Sequence, residues 1–596
     1  MQQSNPRAEY ESRLAARRTT ADALERRSDW ISNMRLAVFV LALVLAWLAF
    51  GMKLASAWWL VAPALGFAIL VVAHDYALRA KARADAAVSY YERCIARLDG
   101  HWTGKGLAGL DLVSDSHSYA ADLDLFGEGS LFELLCTART RAGERTLADW
   151  LLGSAEPEEI RARQKAVDEL RPRLDLREEL ALLGSDIRRG VLPEVIVQWG
   201  KGPAVFATTT PLRVAHVIAA FSLASLFGWA VLGTGPLPFA VAVIGVWALN
   251  RVTQQDVRKA LKDVEEPGRE LHVLGDVLAR LEREPFACER LQRVHGLMTE
   301  NGRPASDCIR HLQRLLTWHE ARGNQLFAPL AIVTMWDVHF AYAFERWRMT
   351  YGAHIARWLE AVGDLEALGA FAAYAYEHPA DPFPEIVQEG PRFEAVQAGH
   401  PLLSESACVA NDVTLGGELR LLVVSGSNMS GKSTLLRTVG INTVLALAGA
   451  PVRAEKLTVS PMAIGATLRI QDSIQAGSSR FYAEISKIRQ LVDLATGPLP
   501  LLFLLDEILH GTNSHDRKIG ADAIVRGLLE AGAAGLVTTH DLALAKTADD
   551  LGPRAANVHF EDHLEEGKLV FDYRMRPGVV QKSNALELMR AVGLKV

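Results

Sequence analysis

No pair of cysteines stands at metal-ligand or redox spacing. Cys94, Cys136, Cys288, Cys308 and Cys408 are scattered through 596 residues, without a C-x-x-C. That argues against a zinc site and a disulfide framework and fits a reducing compartment. An excess of positive charge is also missing: 64 Lys and Arg stand against 70 Asp and Glu, a net charge of −6. The whole molecule therefore carries no electrostatic footprint for nucleic acid, although clustered charge leaves room for a local basic surface. No internal repeat and no low-complexity tract interrupts the chain. Its length allows several domains, each with its own core.

What the chain has in excess is apolar sequence, with a mean hydropathy of +0.09. The excess is concentrated in two places. "LAVFVLALVLAWLAFGM" (Leu36 to Met52) is followed by "AWWLVAPALGFAILVVAH" (Ala57 to His74). Later, "VAHVIAAFSLASLFGWAVLG" (Val214 to Gly233) is followed by "PLPFAVAVIGVWALN" (Pro236 to Asn250). Each run is about long enough to cross the hydrocarbon layer. Each pair has a short, nearly uncharged link, so each is expected to form a transmembrane hairpin. Arg26, Arg27, Arg35, Arg79, Lys81 and Arg83 flank the first; Arg213, Arg251, Arg258 and Lys259 flank the second. Positive flanks place both termini on the cytoplasmic side of a cell (inner) membrane in a multi-pass topology. Two other readings exist. "KLASAWW" contains a signal-peptide-like cleavage site, but the preceding stretch is long and acidic and a second apolar run follows. Buried core helices are the other. A fifth apolar run, Leu326 to Phe344, is interrupted by Asp337 and His339 and is not expected to span.

The expected organisation is a cytoplasmic N-terminal helix at 1–35, hairpin one at 36–75, and a first helical region at 76–210. Hairpin two follows at 211–250, a second helical region at 251–385, and an α/β domain at 386–596. Pro157, after "GSAE", reads as a helix start. "EHPADPFPEI" (Glu377 to Ile386), with three prolines, reads as the domain boundary.

Beyond it, "LRLLVVSG", "LPLLFLLDE" and "AAGLVTTH" are short apolar strand-like runs separated by helical stretches. That alternation predicts a parallel sheet with helices on both faces, with ligands at the carboxyl ends of its strands. "GSNMSGKS" (Gly426 to Ser433) fits a phosphate loop between strand and helix. Gly426, Ser427, Asn428, Met429, Ser430 and Gly431 offer backbone to a phosphate chain, helped by the helix N-terminus, with Thr434 in its first turn. Lys432 reaches the β- and γ-phosphates, and Ser433 ligates Mg²⁺. Asp506 is placed to hold Mg²⁺, and Glu507 to orient and deprotonate water. The alternative for two acids after a strand is a solvated turn. His540 ends the third run; a lone histidine there is more often structural.

"SGSNMSGKSTLLRTVG" resembles the ATPase of the MutS family, as do "SSRFYAEI" (Ser478 to Ile485), "LLDEILHGTNSHD", "TTHD" and the stretch Phe571 to Leu594. The resemblance covers about 398 to 594. It implies ATP as ligand and a homodimer in which Ser479 acts in trans on the partner's γ-phosphate, with Asn513 and Ser514 at that interface. It also implies a catalytic role for His540. Leu131 to Leu170 resembles the family's core and lever.

The departures shape the expectation. There is no counterpart of the Phe-x-Glu wedge, the connector domain or the C-terminal helix-turn-helix. Cys408 stands where the family stacks adenine on Phe, and otherwise reads as a small buried side chain. The resulting expectation is a phosphate-loop ATPase domain with a helical lever and two transmembrane hairpins, in contact with membrane lipid. ATP would clamp two heads together and hydrolysis would release them, acting on DNA or on a protein client. Mismatch recognition is not expected. A transport or remodelling ATPase is a second class, though an "LSGGQ"-type signature is absent. A nucleotide-gated membrane scaffold is a third.

Overall fold

The computed structural model describes residues 5–54, 56–114, 116–183, 193–300, 302–325, 327–469, 480–509, 514–540, 542–565 and 568–580. Two helices, α1 (Pro6–Ala46) and α2 (Val61–Leu98), open the chain as an antiparallel pair. Asn5 caps α1, its side chain accepting from the Arg7 N–H, and Pro6 occupies the first helical position. At 41 residues α1 is about 60 Å long, twice a hydrocarbon layer. Only its far half is apolar. The near half buries Leu14, Ala21 and Ser28 seven residues apart, with Tyr10 and Ile31 at either end of that series. Ala77, Ala84 and Tyr91 repeat the same spacing on α2. This is a heptad seam, so the base of the hairpin is a coiled-coil stalk. Lys81–Glu25 (2.6 Å) and Arg18–Glu92 (2.8 Å) flank it.

The expected limits at 35 and 75 are therefore not breaks in structure: the stalk and the apolar section are single helices. The same holds at 250, inside the helix Leu237–Leu281. There α3 (Thr210–Leu232) and α4 (Leu237–Leu281) form the second hairpin. Among the described residues, four helices are long and apolar enough to cross a membrane, the two of each hairpin. The fifth apolar run is split. A short helix (Ala328–Val333) ends two residues before Met335, whose φ of +54° is left-handed, and a second helix starts at Trp336. Asp337 within the run is held by Arg322 at 2.6 Å.

The C-terminal part is built on six strands: β1 (Leu421–Ser425), β2 (Ala463–Thr467), β3 (Leu501–Asp506), β4 (Ala534–Thr539), β5 (Ala555–Glu565) and β6 (Lys568–Pro577). Their order is β6-β5-β1-β4-β3-β2. All neighbours are parallel except β5–β6, so the expected parallel sheet carries one antiparallel edge. β1 and β4 are buried at every position, as a sheet covered on both faces requires. Helix α6 (Lys432–Ala448) covers one face. Helices α7 (Arg480–Ala495) and Ser514–Glu530 pack on the other, around Phe503, Leu505, Leu491 and Val525.

A second sheet was not foreseen. Strands Glu385–Ile386, Phe393–Ala398, Asn411–Leu415 and Lys456–Val459 form it. Its core is continuous with the side of α6 turned from the main sheet and with helix α5 (Ile355–Glu377). The proline-rich stretch does connect helix to strand, but one hydrophobic core runs across it. The helical region and the α/β domain thus share an interior.

Candidate nucleotide site

The phosphate loop leaves β1 at its carboxyl end and enters α6. Gly431 caps the helix with φ +106°, and Gly426 has φ +150°. A Cβ on Gly426 would meet Ser430 Oγ at 2.8 Å and the Phe560 carbonyl at 3.1 Å, so a side chain does not fit there. Met429 is also left-handed, at φ +67°, and its side chain points to solvent. The Ser427 hydroxyl is buried without a partner in a loop whose Gly-rich backbone could wrap phosphate.

Lys432 is buried, and its ammonium donates to the carbonyls of Gly426 (3.0 Å) and Ser427 (2.9 Å). It lies 3.7 Å from Glu507 Oε1 and 3.3 Å from His540 Nε2. Burial holds the Lys432 pKa below the ordinary lysine value, opposed by the charges of Glu507 and Asp506. His540 Nε2 contacts Glu507 Oε1 and lies 2.8 Å from Asn428 Oδ1. Glu507 Oε1 can only accept, so Nε2–H is the donor in that contact, and the Lys432 ammonium at 3.3 Å competes for the same nitrogen. Glu507, at the end of β3, has φ +48°. Its backbone N–H donates to Thr538 Oγ1 (3.0 Å), and the same hydroxyl donates to Asp506 Oδ1. Thr538 on β4 thus fixes two successive residues of β3.

Asn428, Lys432, Glu507 and His540 come together at the ends of three adjacent strands, with Asp506 tied in through Thr538. Among the described residues, the Ser433 side chain has no polar partner. Thr434 is exposed and its carbonyl accepts from Thr438. Ser430 folds onto its own loop, donating to the Ser427 carbonyl at 2.8 Å. Ser479 and Asn513 lie outside the described residues; Ser514 begins a helix whose first side chain is not described. Cys408 is half-buried rather than buried, and its sulfur accepts from the His400 N–H at 3.3 Å.

Three functional neighbours were missed. Thr538 is one, although "TTH" ends the strand that was read. Buried Glu484 on α7 is another; it accepts from the Leu509 N–H just past Glu507, where Leu509 is left-handed at φ +62°. Tyr573 is the third: its ring lies 3.2 Å from where a Gly431 Cβ would stand, and it is partly exposed. No local pattern in "FDYRMRP" points at the loop. A cation held by one serine, one aspartate, phosphate oxygens and water suits hard Mg²⁺. The described residues contain no group of three or more His, Cys, Asp or Glu side chains that could hold a metal unaided.

A polar link also reaches this domain from the helical region. Asp122 is fully buried; it accepts from the N–H groups of Leu468 (2.8 Å) and Arg469 (2.7 Å), and from Lys487 Nζ (2.8 Å). Asp124 pairs with Arg469 at 2.6 Å.

Comparison with known proteins agrees with this geometry. Residues 422–595 match MutS domain V, and residues 107–301 match MutS domain III. The DNA mismatch repair protein MutS 2 of Halobacterium salinarum is 35% identical over 245 residues, 40% of this chain and 27% of that protein. The endonuclease MutS2 of Thermus thermophilus is 30% identical over 259 residues, 41% of this chain and 32% of that protein. The DNA mismatch repair protein MutS of Natronomonas pharaonis is 34% identical over 241 residues, 39% of this chain and 27% of that protein. The chain spans about a third or less of the length of these relatives. The two domain matches together cover more than half of it, and they fall on the helical region and on the nucleotide site just described: the chain belongs to the MutS family.

Proposed function

We propose that this chain is a membrane-anchored ATPase that hydrolyses ATP at a site shared between two copies and passes the motion to its helical region. The observation that carries this reading is the convergence of Lys432, Glu507 and His540 on the phosphate loop. A phosphate oxygen is a stronger acceptor for the Lys432 ammonium than the two loop carbonyls that hold it. The Ser427 hydroxyl and the loop N–H groups offer further donors. Glu507 is the base for the attacking water; His540 Nε2–H, steadied by Asn428, fixes the carboxylate that takes the proton. Mg²⁺, held by Ser433 and Asp506, would neutralise charge on the phosphates. Tyr573 offers an aromatic face beside the loop for a base. Ser479 from a second copy would complete the site.

The anchor reading rests on the two hairpins. Phe39, Leu43, Trp47, Leu65 and Ile69 are exposed, as are Phe227 and Trp247, an apolar surface too large for a water-facing one. Lipid covers it in this reading. DNA is proposed as the client, because the relatives above are named for mismatch repair and as endonucleases. ATP hydrolysis by the purified full-length protein in detergent, with and without duplex DNA, tests both parts. Turnover that is lost in Lys432→Ala and stimulated by DNA is the expected result. Turnover unchanged in Lys432→Ala would remove the site. Turnover indifferent to DNA would remove DNA as client and leave the ATPase.

A further inference from the structure

Helix α3 enters its apolar section over a cavity of about 1670 Å³. Its walls come from the start of α3, from helix Ala305–Glu320 and from helix Trp336–Tyr351. Arg213, Arg314, Arg346, His216 and His311 line it and are exposed. Arg303 lines it as well; among the described residues, Arg213, Arg314 and Arg346 have no carboxylate partner. The two acids in the wall are engaged elsewhere: Asp307 with Arg310, and Glu345 with Arg348 (2.7 Å) and the Val205 N–H (2.8 Å). The cavity therefore keeps uncompensated positive charge. The hydroxyl-bearing residues Thr208, Thr209 and Thr210 lie at the N-terminus of α3, which adds its own positive end.

We infer that this cavity is a binding site for a phosphate-bearing headgroup, that of an anionic phospholipid, at the foot of the second hairpin. The inference rests on the membrane reading given above. Three observations favour a lipid as the source of the phosphate. Arg213 and His216 sit in the first two turns of α3, and Val214, Val217 and Phe221 beside them are exposed apolar residues, so the charge lies where apolar surface begins. The neighbouring short helix Ala328–Val333 packs on both hairpin helices and leaves Leu330 and Ile332 exposed. Trp318, at the end of a wall helix, is 64% exposed, and indole favours the membrane–water boundary. A basic pocket between helices at that level suits an anionic headgroup with its chains against the hairpin.

The test uses full-length protein in a neutral detergent, titrated with a short-chain phosphatidylglycerol and followed by native mass spectrometry. Phosphatidylcholine of the same chain length, inorganic phosphate and a duplex oligonucleotide are titrated in parallel. The expected result is saturable phosphatidylglycerol binding, weakened about tenfold or more by Arg213→Gln with Arg346→Gln and by high salt, and largely kept by the Arg→Lys pair. ATP binding at Lys432 serves as the control that both variants are folded. Equal phosphatidylglycerol binding by wild type and the Gln pair would overturn the site. Phosphate or oligonucleotide binding as tightly as the lipid, and lost in the same variant, would overturn the lipid as its ligand. Resistance to alkaline carbonate extraction of membranes is measured separately and reads the anchor alone. An extractable protein that still binds phosphatidylglycerol would sink the membrane reading and leave the headgroup site.

Discussion

Arg97, in the last turn of α2, closes on Glu377, the last residue of α5. Arg97 Nε donates to both carboxylate oxygens, at 2.9 and 3.2 Å, and the Tyr10 hydroxyl from α1 donates to Oε1 at 3.2 Å. Both members of the pair are largely withdrawn from water. One carboxylate therefore ties the base of the first hairpin to the helix that leads into the α/β domain. A second tie sits beside it. Glu178 accepts from the Tyr91 hydroxyl at 2.6 Å and pairs with Arg17 at 2.6 Å.

Breaking the first tie from one side leaves a buried charge unpaired, which costs about 3–5 kcal/mol. Arg97→Met is expected to lower the thermal midpoint of the full-length protein by several degrees. Arg97→Met combined with Glu377→Gln should recover most of that loss, since the pair is then neutral. A midpoint unmoved by Arg97→Met would show that the pair does not hold the stalk to the domain.

Asp122 supplies a further connection, to the chain on both sides of the segment that leads into α7. Asp122→Asn keeps an acceptor for the Leu468 and Arg469 N–H groups and loses the ion pair to Lys487. A loss of about 1–3 kcal/mol is expected, with nucleotide binding kept and turnover reduced. Titration of a fluorescent ATP analogue beside a turnover assay separates these effects. Turnover equal to wild type would show that this contact does not couple the helical region to the site.

Two buried carboxyls lie along the same junction. Burial raises the Glu366 pKa to about 7, opposed by its bonds to Thr140 and the Arg139 and Thr140 N–H groups. It raises that of Asp381 to about 6, opposed by Arg453 and Tyr374. Below their unfolded values both are protonated in either state. As pH rises from about 4 to about 7 the unfolded chain ionises them first, so their contribution falls by a few kcal/mol and then levels off. The thermal midpoint should decline over that window, and Glu366→Gln should flatten part of the decline. An identical pH profile in the variant would contradict the assignment.

The topology reading makes a labelling prediction. Cysteines placed at Ser56 and Thr234, both exposed at hairpin tips, should react with an impermeant maleimide added outside intact cells. One at Arg489, exposed on α7, should react only after the membrane is opened. Outside labelling at Arg489 would overturn the arrangement.

The candidate site's loop and strand ends were legible because phosphate binding constrains a contiguous loop, and because strands buried on both faces write unbroken apolar runs such as Leu501 to Leu505. The four-stranded sheet was not legible. Its strands are short and mix polarity, as in Phe393–Ala398, and they pair across long stretches of sequence. The stalk was legible as two helices but not as a coiled coil. Leu14 and Ile31 mark one helix, but Ala77 and Ala84 carry the seam of the other, and alanine gives little apolar signal. Its continuity with the apolar runs was hidden because a change of solvent along a helix looks, in sequence, like a change of element. Thr538, Glu484 and Tyr573 lie in stretches that resemble the family, but their places at the site come from contacts with distant segments, which the local sequence does not record.

The most direct test of the central claim compares wild type with Glu507→Gln in ATP binding and in single-turnover hydrolysis by the full-length protein. The variant keeps Lys432 and the loop donors and loses the base. Binding should stay within a few-fold of wild type while hydrolysis slows by about 100-fold or more. Hydrolysis at the wild-type rate in Glu507→Gln would contradict the account, because the carboxylate that His540 and Lys432 surround would then have no part in the reaction.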